Sequence, residues 1–319
     1  MEYKRLYIIG NGFDIHHGIN SKYSQFKDWL ENHQEEYNAL YFLNNYFRVD
    51  SEFWSDFERS LATFNVQDFA ESETRANYPD FFSDHFAREM DMSTYQSKQD
   101  FIRLIDEIKS AFHDWVCSLN EPMPSRRIQM LKDNAFFINF NYTKTLEDLY
   151  GVEHSQLLHI HGCVDKDNDL IFGHGDIVEA PFEELPFKCD SEETIKEYYD
   201  SHYDPILDNV TQAIINGVNT YLRKDVERNI GIHYYDFLQL NQLKEIYIFG
   251  WSFSEIDTPY LDEILKLNVV DKIKWTVSWY DESDKNNARV YLTKNHIGEN
   301  MIHFVQLNEL VDKSQLSLF

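Results

Sequence analysis

Four short segments of this chain gather residue types that can do chemistry: Gly10-Asn11-Gly12-Phe13-Asp14, Asn141-Tyr142-Thr143, His159-Ile160-His161-Gly162, and Gly250-Trp251-Ser252 with the nearby Asp257. Gly10 and Gly12 remove side chains where a strand turns into a helix, which lets backbone N–H groups approach a phosphate. A simple tight turn is the alternative. Ile15 stands where a G-x-G-x-x-G fingerprint needs its third glycine, so the ordinary dinucleotide motif is broken. Asp14 repels a phosphate, and is expected either to accept from a ribose hydroxyl or to cap the following helix.

Asn141 offers donors and an acceptor that can orient a water or a ribose hydroxyl, or it can cap a helix over 143–150. His159 and His161 are two apart, so on a strand both imidazoles share one face. One of them can serve as a general base near neutral pH. The pair, joined by His174 and Asp176, is also a candidate metal set. Ser252 can bind phosphate or ribose beside Gly250, and Asp257 precedes Thr258-Pro259, a common helix start, so it reads equally as an N-cap. In Trp54-Ser55-Asp56-Phe57-Glu58 the carboxylates do not share a helical face, and only Trp54 and Phe57 are assigned, as packing residues.

The elements that must position these groups show as apolar runs over 5–9, 136–140, 156–160, 246–249, 273–279 and 301–305, with helical patterns between most of them. A further short run, 170–172, could pair at an edge. The alternation predicts an α/β, Rossmann-like, mainly parallel doubly wound sheet with large helical insertions. The core is expected in residues 1–14, 135–175 and 243–310, with insertions at 15–134 and 176–242 and a tail at 311–319. Helices are expected near 23–34, 55–64 and 98–116, and Ile206, Val210, Ile214, Val218 and Leu222 recur at helical spacing. The four chemical segments then fall at the carboxyl ends of strands, where open parallel sheets place their ligands.

Fifty-five acidic against 29 basic residues give a formal net charge of −26. Such a chain repels a nucleic-acid backbone unless a basic patch overrides it, and the sequence has none. Cys117, Cys163 and Cys189 form no C-x-x-C and support neither a disulfide framework nor a zinc ribbon. With no signal-peptide pattern and no long apolar run, a cytoplasmic location away from membranes is expected.

Leu6 to Asp14, Trp54 to Glu58, Phe140-Asn-Tyr-Thr-Lys-Thr-Leu-Glu147, His159 to Gly162 and Phe249-Gly-Trp-Ser-Phe-Ser-Glu-Ile-Asp257 resemble the AbiH family of bacteriophage abortive-infection proteins. More distantly, Asn141-Tyr142-Thr143 followed by His161-Gly162 is similar to the sirtuin pattern of Asn-x-Asp and a later His-Gly. That resemblance implies NAD as substrate, no required metal, Asn141 aligning water or ribose, and His161 as base. The Gly10–Asp14 turn, Tyr142, Thr143, Gly250, Ser252 and Asp257 are then expected to bind the nucleotide. Thr143 replaces the sirtuin aspartate, and the first loop differs from Gly-Ala-Gly-x-Ser. With no zinc ribbon in the sequence, the resemblance points to defence-type relatives that destroy NAD rather than to a protein deacylase. Rival expectations are a metal-dependent nucleotide or nucleic-acid hydrolase and a non-catalytic nucleotide sensor. Gln315-Leu316-Ser317-Leu318-Phe319 resembles the motif by which bacterial replication proteins dock into the sliding clamp, with folding back onto the domain as the alternative. Homo-oligomerisation is compatible with the sequence.

Overall fold

A computed structural model describes residues 2–80, 82–130, 133–164, 170–179 and 204–311. The clamp-like tail at 315–319, Cys189 and most of the acidic 176–204 stretch lie outside the described residues. Six parallel strands form one sheet: β1 (Arg5–Ile9), β2 (Ala135–Asn139), β3 (Leu157–His159), β4 (Glu245–Phe249), β5 (Lys274–Ser278) and β6 (Ile302–Val305). Their spatial order is β3-β2-β1-β4-β5-β6, so the chain reverses direction across the sheet between β1 and β4. This is the doubly wound order whose crevice lies outside the carboxyl ends of the strands at that switch point.

Alternation along β1 divides the core. Leu6 and Ile8 join Phe136, Ile138, Ile246 and Ile248 on one face, while Tyr7 and Ile9 join Phe137 and Phe249 on the other. Both faces are buried, which is why the strands read as nearly continuous apolar runs rather than as polar alternations. Tyr7 stacks between Phe137 and Tyr247, with ring centroids at 4.9 and 4.5 Å. The short 170–172 run forms no strand, although the Ile171 N–H donates to the His161 carbonyl at 2.8 Å.

Among the described residues the α-helices are α1 (Asn11–His16), α2 (Tyr23–Asn32), α3 (Ala39–Tyr46), α4 (Phe57–Ser60), α5 (Val66–Ala76), α6 (Phe86–Cys117), α7 (Thr145–Tyr150), α8 (Pro205–Tyr221), α9 (Val226–Ile232), α10 (Tyr234–Leu238), α11 (Thr258–Lys266) and α12 (Glu282–Lys294). Among the described residues no helix is long and apolar enough to cross a membrane. The chain divides into two units, one of residues 1–29, 112–172 and 224–319, the other of residues 30–111 and 173–223. Segments 15–29, 112–134 and 224–242, expected in the insertions, thus go with the sheet.

In the second unit α5 packs on α8. All five periodic residues of that segment, Ile206 through Leu222, are buried. Asp204 caps α8, its carboxylate accepting from the Ile206 and Leu207 amides with Pro205 at the first turn. Trp54 and Phe57 are buried and stack at 5.6 Å, whereas Asp56 caps α4.

Candidate functional site

At the carboxyl end of β1 the chain turns through Gly10 into α1, and at the end of β4 it turns through Gly250. These two turns meet backbone to backbone. The Gly12 N–H donates to the Gly250 carbonyl at 2.8 Å, the Gly10 N–H to Phe249 at 3.0 Å, and the Phe13 N–H to Gly10 at 2.9 Å. A Cβ on Gly10 would lie 2.6 Å from the Gly250 carbonyl oxygen and 2.7 Å from the Trp251 Cα, and one on Gly12 would lie 2.8 Å from the Gly250 Cα. Gly250 itself has φ +67° and faces the Phe13 amide. The room left by the missing side chains is therefore filled by the protein's own main chain. The backbone N–H groups expected to approach a phosphate are, at Gly10, Gly12 and Phe13, already bonded to main-chain carbonyls. Phe13 is a fully buried core residue against His17 and Tyr150. The Asn11 side chain holds Ser21, its amide donating to the Ser21 carbonyl at 2.9 Å.

Asp14 is only 1% exposed. Thr143 Oγ1 donates to one carboxylate oxygen at 2.6 Å and Thr145 Oγ1 to the other at 2.8 Å. Burial raises its pKa to about 6, against the lowering effect of hydrogen bonds from Thr143, Thr145 and Asn141. Asn141 donates its amide to the Gly10 carbonyl at 3.1 Å, and its backbone N–H donates to Asn139 Oδ1 at 3.1 Å. It caps nothing, because α7 starts at Thr145 with Lys144 in the cap position. Beside it His159 Nε2 lies 2.8 Å from Glu147 Oε1, and His159 Nδ1 lies 3.4 Å from the Asn139 amide nitrogen. A proton on Nε2 satisfies both contacts.

β3 ends at His159, and the chain then turns through Ile160 and Gly162, the latter at φ +79°. The two histidines consequently do not share a strand face, correcting the period-two expectation. His161 is 2% exposed and packs edge-on against Phe140 at 5.2 Å and Tyr260 at 6.0 Å. Asn229 fixes the turn, donating to the Ile160 carbonyl at 2.7 Å and to the Tyr260 hydroxyl at 2.9 Å. His161 Nε2 stands 3.3 Å from Asp257 Oδ1, off the line of an aligned hydrogen bond, and Lys224 Nζ stands 3.5 Å from the same oxygen. Burial works to raise the Asp257 pKa, but Lys224 and His161 outweigh it and hold the carboxyl down to about 2. Asp257 occupies the N-cap position of α11 without making a cap bond. Its carboxylate is turned to the histidine and the lysine instead.

Asn141 and His161 thus each lie two residues past the last paired residues of adjacent strands, Asn139 and His159. Gly10, Asp14, Asn141, Tyr142, Thr143, His161 and Asp257 all belong to this crest. Tyr142 is buried and donates its hydroxyl to the Ile171 carbonyl at 3.1 Å. Ser252 is exposed beside Gly250. His174 and Asp176 fall in the other unit, where His174 is fully buried, neither ring nitrogen has a hydrogen-bond partner among the described residues, and burial lowers its pKa. Among the described residues, His159, His161, His174 and Asp176 do not gather three donor atoms. Lys224, Glu147 and Thr145 were missed from sequence. Each is an ordinary residue of its own segment, and nothing local marks its distant partner.

A family model described as bacteriophage abortive infection AbiH matches residues 6–279. No curated protein matches the chain.

Proposed function

The chain belongs to the AbiH family of bacteriophage abortive-infection proteins, and from that premise we propose a defence effector that hydrolyses the nicotinamide–ribose bond of NAD or a related nucleotide. The observation that supports this most is the placement of Asn141 and His161 at the ends of adjacent strands, with the Asp257 carboxylate 3.3 Å from the imidazole. A carboxylate beside a histidine orients the ring and stabilises its protonated form. In this reading water attacks the ribose C1′, the bond to nicotinamide breaks, and the pyridine leaves with the bonding electrons. His161 takes the proton from the water while Asn141 orients the water or a ribose hydroxyl. Lys224 keeps Asp257 ionised. Gly10, Gly12 and Phe13 shape the floor through main-chain packing rather than by offering amides, and Ser252 is the exposed hydroxyl available to the nucleotide at the β4 turn.

Asn141 is 6% exposed and His161 2%. That burial fits an effector at rest, with NAD loss waiting on a trigger. The test is NAD content in bacteria challenged with phage. Cells protected by the wild-type chain should lose NAD on infection, and cells carrying Asn141→Ala or His161→Ala should keep it and lose protection. Protection with unchanged NAD would sink the reading, as would continued NAD loss with a folded double variant. Gln315 to Phe319 is proposed to dock in the bacterial sliding clamp. Binding of purified clamp to the intact chain, and not to a chain truncated after Ser314, is the expected result.

A further inference from the structure

Away from the strand crest, the last turn of α6 carries His113, Asp114 and Cys117, whose donor atoms all lie within 4.8 Å of one another. Cys117 Sγ is 3.7 Å from His113 Nδ1 and 3.9 Å from Nε2, and His113 Nδ1 is 3.1 Å from Asp114 Oδ1. Ligands of one tetrahedral zinc ion sit at about 3.6 Å for a sulfur–nitrogen pair and about 3.3 Å for a nitrogen–oxygen pair, given bond lengths of about 2.3 and 2.0–2.1 Å. The spacing present before any ion binds is therefore close to the spacing a bound ion requires. His113 and Cys117 owe it to their separation of four, which stacks them on one face of the helix.

We propose that His113, Asp114 and Cys117 form a surface site for a soft divalent cation of the zinc class. Thiolate and imidazole favour such an ion over magnesium or calcium, which take oxygen ligands. Position adds to the donor set. Cys117 is the C-terminal residue of α6, where the last carbonyls of a helix carry partial negative charge and favour a cation. Three protein donors leave a fourth position for water. Coordination replaces the Cys117 S–H bond by a metal–sulfur bond and releases that proton to solvent.

The test is local to the thiol. The full-length chain is treated with iodoacetamide with and without zinc chloride, and alkylation of Cys117 is followed by peptide mass spectrometry, with the buried Cys163 as internal reference. Zinc should slow Cys117 alkylation at least about tenfold, because a coordinated thiolate is a poor nucleophile, while magnesium should leave it unchanged. His113→Ala and Asp114→Asn should each weaken the protection. All three side chains are at the surface or partly so, and circular dichroism verifies that the variants fold. An alkylation rate indifferent to zinc overturns the proposal. So does protection that persists undiminished in His113→Ala, which would place the ion elsewhere.

Discussion

Asp14 is almost wholly buried and the Asp257 side chain is 14% exposed, yet their carboxyls are pushed in opposite directions. Asp14 accepts hydrogen bonds from Thr143, Thr145 and Asn141, but these and the electrostatic effect of His159 do not offset desolvation, and its pKa rises to about 6. Asp257 has Lys224 and His161 beside it, and their charge prevails, holding it at about 2. The stability consequences differ in sign and in window. A raised folded-state pKa means that the native state holds the proton more tightly than the unfolded chain, so Asp14 costs stability above about pH 6 and that cost is relieved as pH falls toward about 4, by on the order of 3 kcal/mol. Asp14→Asn should therefore lose stability relative to wild type as pH drops from about 7 to about 4, as measured by urea unfolding. Asp257 contributes on the order of 2 kcal/mol that is present above about pH 4 and lost as pH falls through about 2. Asp257→Asn removes the anion from a buried lysine and should destabilise at neutral pH by about 3–5 kcal/mol. An Asp257→Asn, Lys224→Met double variant should recover part of that loss in the same measurement.

At the scale of elements, glycines that look alike in sequence do different work. Gly250 combines a left-handed backbone with contact against the Phe13 amide, and Gly10 faces the Trp251 backbone. Gly151 ends α7 at φ +60° with open space around its Cβ position. Gly250→Ala should thus cost about 3 kcal/mol or more, since conformational strain and overpacking add. Gly151→Ala should cost about 1–2 kcal/mol, from strain alone. Chemical denaturation of the pair measures the difference, and equal losses would mean that the two turns do not press together. Asp204 offers a control in the second unit. Replacing this cap of α8 by Ala should cost about 1 kcal/mol.

For the whole molecule, charge and core pull against each other. A formal charge of −26 on 319 residues favours expansion, and the aromatic-rich interior opposes it. Raising ionic strength from about 0.01 to about 0.15 M shortens the screening length from about 30 to about 8 Å, and should raise the urea midpoint. No change would show that the acidic groups are already locally compensated. The sheet order adds a constraint, because β1 is hydrogen-bonded on both sides, to β2 and to β4. Residues 5–9 therefore join segments more than a hundred residues away on either side of the switch point.

Apolar pattern alone determined that this would be an α/β chain with a mainly parallel sheet, because strands buried on both faces must be apolar along their length. It also determined that Gly10, Asn141, His161 and Gly250 would stand at strand ends, where a run of apolar residues gives way to polar ones. The tertiary structure decided what those residues meet. Gly10 and Gly12 are small in any reading, but only the approach of the β4 turn shows that main chain fills the space beside them. Alternation put His159 and His161 on one face, and the end of β3 at His159 separated them. Asp257 looked like a cap, and became the anion between His161 and Lys224 because packing brought a third segment to it. Local periodicity follows from the geometry of one element, whereas a partner 33 residues before Asp257 or 129 residues after Asp14 is chosen by how elements pack together.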